Sequence, residues 1–150
     1  MAERMRDINP SIEVVMKKEK LSPEGLAALP ATHWDGIDYI ADCIDDVKGK
    51  TALILAAREQ NIPIISALGT GNQLDNQHYH ISDISKTSHC PLAKALRLAL
   101  RKEGLSKGVK VVYTTNPPYR KGSGAPGTIS FVPGTSGLLL AGEIIRDFLV

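Results

Sequence analysis

The chain has 150 residues, 43% of them hydrophobic and 23% charged, with a net charge of +2. This composition excludes a disordered or fibrous protein and predicts a single globular domain with its own core. No run reaches the roughly 18 uncharged apolar residues of a membrane span, and a charged first decapeptide lacks a signal core, so a cytoplasmic protein without membrane contact is expected.

Residues 1–8 read as the tail of a helix that stops at Asn9-Pro10, because proline disfavours helix in the residue before it. Ser11–Met16 alternates and predicts a short strand. Ser22-Pro23 opens a helical turn, with serine as cap and proline preorganised for the first helical position. Tyr39–Asp42 predicts a buried parallel strand, Asp46–Gln60 a helix with Leu53, Ile54 and Ala57 on one face, and Ile62–Leu68 the next buried strand. His78–Ile84 and Val109–Thr115 predict strands with a helix over Pro91–Glu103 between them. Asn116–Gly127, dense in proline and glycine, predicts a loop. Thr128–Val132 then reads as a strand and Gly134–Leu149 as a closing amphipathic helix.

Strands alternating with helices predict an α/β fold, a mostly parallel Rossmann-like sheet with helices on both faces. Such a sheet binds ligands beyond the C-terminal ends of its strands. Three exits follow: Asp42–Asp46, Gly69–Asn72 and Thr114–Asn116.

At the first exit, Asp42, Asp45 and Asp46 form a carboxylate cluster. Carboxylates there suit Mg²⁺, or they cap the following helix, and chemistry alone favours the cap. Lys50 is placed to reach a phosphate or to pair with Asp46 one turn back. At the second exit, Gly69 and Gly71 lack the third glycine and the following helix of a dinucleotide fingerprint, so they are read as residues that let the backbone turn sharply.

His78 and His80 would share a strand face and could pair on a metal with His89 as a third ligand, although exposed strand histidines are the commoner case. Cys90 falls at the N-cap before Pro91. The positive helix end with His89 and Lys86 nearby would activate a thiol there, but a structural cysteine in a poor cap is the preferred reading. Cys43 and Cys90 lie too far apart in sequence for a CxxC zinc pair.

Charge is unevenly distributed. Between Lys86 and Lys121 nine Lys or Arg stand against Glu103 alone, which leaves nine bases and fifteen acids elsewhere. Lys94, Arg97 and Arg101 fall on one helical face, opposite Leu92, Leu96, Ala99 and Leu100. With Lys86, Arg120 and Lys121 they form a candidate nucleic-acid surface, against the alternative of a solvated basic face without a partner.

Arg6-Asp-Ile-Asn-Pro10 followed by Tyr39-Ile-Ala-Asp-Cys-Ile-Asp-Asp46 resembles the R-x-I-N-P … V-D-A-I-D passage of ThiF/MoeB/HesA-type adenylating enzymes. Gly69-x-Gly-Asn-Gln-Leu-Asp75, Ser82-Asp-Ile-Ser-Lys-Thr87 and Pro91-Leu-Ala93 before a basic helix are similar to the tRNA threonylcarbamoyladenosine dehydratases within that superfamily. The resemblance covers almost the whole chain and implies the C-terminal portion of a ThiF-type fold, with an irregular later strand region.

It implies an enzyme that uses ATP and Mg²⁺ to adenylate a carboxylate, here that of threonylcarbamoyladenosine in tRNA, which then closes into a ring. Asp45 would be the catalytic, magnesium-associated aspartate, which reverses its reading as a cap, and Lys50 a basic residue close to the nucleotide. A homodimer paired through the last helix (Leu138–Leu140, Ile144, Ile145, Leu149) is expected, and zinc is not.

The sequence departs from the family in having Asn76-Gln77 where relatives often carry Pro-Thr and Cys90 where the dehydratases carry Asp. The family's first strand, Gly-rich phosphate loop and ribose-binding acid find no match here. The expectation is therefore a single truncated ThiF-like domain over residues 1–150, inactive alone. Two alternatives remain: adenylation of the C-terminus of a ubiquitin-like sulfur carrier, with a sulfur-carrier or cysteine-desulfurase-related partner, or a non-catalytic half-Rossmann binding or pairing module.

Overall fold

The computed structural model describes residues 1–119 and 125–150. Helix α1 (Ala2–Ile8) ends where predicted, at Asn9 before Pro10. The short helix α2 (Pro23–Ala27) begins at Ser22, whose hydroxyl accepts the Gly25 N–H at 3.1 Å. Strand β1 (Ile40–Asp42), helix α3 (Val47–Glu59), strands β2 (Ile64–Ala67) and β3 (Tyr79–Asp83), helix α4 (Pro91–Lys102), strand β4 (Lys110–Thr114) and helix α5 (Phe131–Leu149) follow in order.

The sheet runs β1-β2-β4-β3. β1 pairs with β2 and β2 with β4 in parallel, and β3 lies antiparallel on β4, with Ile81 opposite Val112. The reversal of β3 follows from its connection. Residues 68–78 hold no helix that could return the chain to the other end of the sheet, so β3 starts where β2 stops and runs back.

Alternation along β4 divides the core. Val111 and Tyr113 pack against Ile54 of α3 and Leu96 and Leu100 of α4, whereas Val112 joins Ile65 and Leu140 of α5 on the opposite face. The mostly parallel α/β sheet with helices on both faces is therefore present, and α5 alone covers one of those faces among the described residues.

Two predicted strands are absent. Along Ser11–Met16 only Ile12 and Val14 turn inward, as the alternation implied, while Val15 and Met16 are exposed. No described segment pairs with it, and a strand needs a ladder partner as well as a pattern. Thr128–Val132 instead winds into α5: Ser130 is already helical, the Val132 N–H bonds the Ile129 carbonyl, and Pro133 falls in the first turn, where it costs no hydrogen bond. β1 differs in burial from its prediction. It lies at the sheet edge with Ala41 exposed, and only Asp42 is fully buried.

Candidate functional site

All three predicted strand exits open into one cavity of about 630 Å³. Its wall includes Cys43, Ile44 and Asp45 after β1, the run Gly69–Gln73 after β2, and Thr114 and Asn116 after β4. The start of α4 and the first turns of α5 close its sides. Its size lies within the range of small-molecule sites.

The three aspartates of the first exit have three separate roles. Asp42 is 1% exposed; its Oδ1 accepts the Ile44 N–H at 3.0 Å, and its Oδ2 accepts from Lys50 Nζ at 2.8 Å and Ser66 Oγ at 2.6 Å. Asp46 caps α3, accepting the Gly49 N–H at 2.7 Å. Asp45 is exposed on the cavity rim and makes no hydrogen bond among the described residues.

This arrangement corrects the pairing read for Lys50: it bonds Asp42 rather than Asp46, with its side chain 0% exposed. The physical reason is that Lys50 sits one turn inside α3 on its sheet-facing side, where an unpaired ammonium would be strongly penalised. The partner on β2, Ser66, could not be read from spacing, because it lies 24 residues from Asp42.

The backbone turns at Gly71-Asn72, as read from the sequence, although neither Gly69 nor Gly71 has a positive φ and the left-handed residue is Asn72, with φ 57°. The glycines serve close approach. A Cβ on Gly71 would lie 2.7 Å from Pro126 Cβ, and one on Gly69 would touch Leu92 and Cys90.

His78 and His80 do not form a pair on one strand face. His78 precedes β3 with φ 57°, and His80 Nε2 lies 3.4 Å from Thr115 Oγ1. Among the described residues no group of three or more His, Cys, Asp or Glu is placed to hold a metal. Cys90 is the structural cap it was preferred to be: buried, at the N-cap of α4, its Sγ accepting the Ala93 N–H at 3.4 Å.

On α4, Lys94 and Arg101 are exposed while Ala93, Leu96 and Leu100 are buried, as the helical spacing predicted, and Lys86 is exposed just before it. Arg97 is partly committed: Nη1 donates to the Thr87 carbonyl at 2.9 Å and to the Thr87 hydroxyl, which holds the segment leading into α4. Arg120 and Lys121 lie outside the described residues.

Sequence reasoning placed Thr114 at a strand exit but missed the buried, uncharged polar wall that it forms with Gln73 and Ser136, at 1%, 6% and 2% exposure. Gln73 Nε2 donates to the Asn116 carbonyl at 3.1 Å, and Thr114 Oγ1 accepts the Asn116 N–H at 3.1 Å. Gln73 stands within the Gly69–Asp75 motif, and Ser136 carries no sequence signal of its own.

A profile of the ThiF family matches residues 1–149. The chain belongs to the ThiF family. It is 34% identical over 167 aligned residues to the tRNA threonylcarbamoyladenosine dehydratase of Bacillus subtilis, covering 99% of this chain and 64% of that protein. It is 35% identical to the Escherichia coli enzyme of the same name over 77% of this chain and 44% of that protein. The crystal structure of the E. coli dehydratase in complex with AMP superposes with a TM-score of 0.87 at 29% identity, covering 99% of this chain and 62% of that one. The ThiF-family chain thus spans 44–64% of these relatives, and its fold agrees with that of the E. coli dehydratase.

Proposed function

We propose that the chain forms the acceptor side of an ATP-dependent carboxylate activation, namely the dehydration and ring closure of threonylcarbamoyladenosine in tRNA, within a single ThiF-like unit over residues 1–150. The observation that carries this reading is the convergence of three strand exits on one cavity, with Asp45 free at its rim. The matching E. coli dehydratase has been described with AMP and with ATP, which supports an adenylate chemistry.

Asp45 is the proposed catalytic and magnesium-holding residue. One carboxylate beside phosphates and water satisfies Mg²⁺, which seldom takes an all-protein cage. Asp42 and Asp46 are already committed to Lys50 and to the α3 cap. The described cavity wall contains no Lys or Arg, and the N-termini of α3 and α4 are capped by Asp46 and Cys90, while that of α5 has no side-chain cap. A triphosphate therefore meets no Lys or Arg among the described residues of this wall, and we infer that the chain alone does not perform the adenylation. ATP and Mg²⁺ would supply activation of the carboxylate; the chain's own part is to orient the acyl group and to hold the tRNA.

The tRNA surface is Lys86, Lys94 and Arg101, with Arg97 positioning the loop beneath them and Arg120 and Lys121 adding charge. α5 offers a pairing surface for a homodimer: Leu138, Ile145, Phe148 and Leu149 are 61–79% exposed, whereas Leu139, Leu140 and Ile144 pack on the sheet. No described helix is long and apolar enough to cross a membrane, and a tRNA substrate fits a cytoplasmic location.

Gel-shift titration with threonylcarbamoyladenosine-bearing tRNA, beside a pull-down with a ubiquitin-like sulfur carrier or a cysteine-desulfurase-related protein, tests the reading. We expect a shift that Lys94→Glu/Arg101→Glu weakens at least tenfold, no carrier capture, and no ATP–pyrophosphate exchange. Carrier capture without a tRNA shift overturns the substrate assignment, and robust exchange overturns the division of labour.

A further inference from the structure

The polar wall of the cavity contains one group that the fold leaves unsatisfied. Ser136, on the second turn of α5, is 2% exposed, and its Oγ is the only buried side-chain polar atom without a hydrogen-bond partner among the described residues. A helical serine ordinarily bonds the carbonyl four residues back, as neighbouring Thr135 does to Phe131 at 2.9 Å. For Ser136 that carbonyl belongs to Val132, which the Tyr79 hydroxyl approaches at 3.5 Å, and Ser136 Oγ makes no such bond. Buried polar groups are paired in almost all native structures, and an exception at a cavity wall points to a missing partner.

The surroundings define that partner. Gln73, Thr114 and Asn116 share the wall with Ser136 and are uncharged. The Thr114 hydroxyl accepts from Asn116, which leaves its own proton to donate. Pro133 and Gly137 flank Ser136 on the same wall and add no competing polar side chain. No described Lys or Arg lines this wall, and its one carboxylate, Asp45, follows β1, two strands from the β4 end that carries Thr114. Uncharged hydroxyl and amide groups on one wall match a ureido or hydroxyl group.

We infer that Gln73, Thr114, Asn116 and Ser136 form a subsite for the ureido- and hydroxyl-bearing acyl group of the substrate, with Ser136 as its direct hydrogen-bonding contact. The inference rests on the function proposed above and adds to it which wall reads the acyl group. It also explains why a hydroxyl occupies a position that packing alone would give to alanine.

The test is calorimetric titration of the 150-residue protein and its Ser136→Ala variant with two probes, threonylcarbamoyladenosine nucleoside and N6-butyladenosine, which lacks the ureido and hydroxyl groups. One lost hydrogen bond predicts about five- to tenfold weaker nucleoside binding by S136A and unchanged N6-butyladenosine binding. The ligand-free Tm of S136A should equal or exceed that of the parent, because no existing bond is removed. Unchanged nucleoside affinity in S136A overturns the subsite and leaves the substrate reading standing. A lowered ligand-free Tm with equal losses for both probes makes Ser136 structural and overturns it too. If the parent chain binds neither probe, or binds both equally, the subsite and the substrate reading fall together.

Discussion

Lys50 Nζ lies 2.8 Å from Asp42 Oδ2, with both side chains fully buried at the mouth of the turn that carries Asp45. The same oxygen accepts from Ser66 on β2, so one ion pair ties the end of β1, the first turns of α3 and the neighbouring strand. Removing one partner leaves an uncompensated buried charge, and Lys50→Met should cost about 3–5 kcal/mol. Urea unfolding measures this. The Lys50→Met/Asp42→Asn double variant should lose less than the two single losses combined, and strict additivity would argue against the pairing.

Asp46 acts by a milder route. Its carboxylate accepts the Gly49 N–H at the start of α3, and Asp46→Ala should cost about 1 kcal/mol, while Asp46→Asn should stay within a few tenths. Equal losses in the two variants would assign the effect to charge rather than to the cap.

Gly71→Ala should destabilise the protein by about 1–3 kcal/mol, because the new Cβ would lie 2.7 Å from Pro126 Cβ and must displace the returning loop. Gly134→Ala has open space at its Cβ and serves as the control. Thermal melts of the two variants should differ clearly, with only the first lowered.

The acid and alkaline limits should trace to one cluster on α5. Lys110 bonds Glu143 at 3.0 Å and Asp147 at 2.6 Å, and the Tyr39 hydroxyl donates to Asp147 at 2.6 Å. Hydrogen bonds from Lys110 and then Tyr39 hold the Asp147 carboxyl below its usual value of 3.8, and those from Lys110 and Arg146 hold Glu143 below 4.5. A depressed carboxyl stabilises the fold above its unfolded pKa and loses that contribution as pH falls through the folded one. Stability should therefore decline below about pH 4.5, and Asp147→Asn should flatten that limb.

Burial, with the bond to Asp147 second, pushes the Tyr39 phenol up from 10.0. Burial alone would lower Lys110, but its bonds to Asp147 and Glu143 outweigh that and raise it above 10.5. Raised groups stabilise below their unfolded pKa, so this contribution should fade above about pH 10. Tyr39→Phe should remove the phenol's share, which denaturation profiles from pH 3 to 11 would show.

The sequence made the strand exits legible because each is a local event. Asp42–Asp46 closes one apolar run, Gly69–Asn72 the next, and a parallel sheet places such ends together. The α4 cap and its two faces were legible for the same reason, since proline position and helical period are local signals. What spacing could not reveal depended on a second segment. Lys50 turned inward because Asp42 and Ser66 receive it, Gly71 is small because Pro126 returns over it, and Ser11–Met16 carries a strand pattern without a ladder. Ser136 was invisible for a further reason. A serine in a helix reads as an ordinary polar residue until its hydroxyl is seen to be buried with no partner among the described residues.

α5 has one more property that follows from where it is fastened. Its second turn forms part of the cavity wall, and its last turns are fixed to Tyr39 and Lys110 by Glu143 and Asp147. A helix of 19 residues is a nearly inflexible rod about 28 Å long. Leu138 is exposed on the outer side of this helix, two residues from the buried Ser136 of the cavity wall. One continuous helix therefore carries both the apolar outer surface and part of the cavity, and its far end is anchored to the sheet.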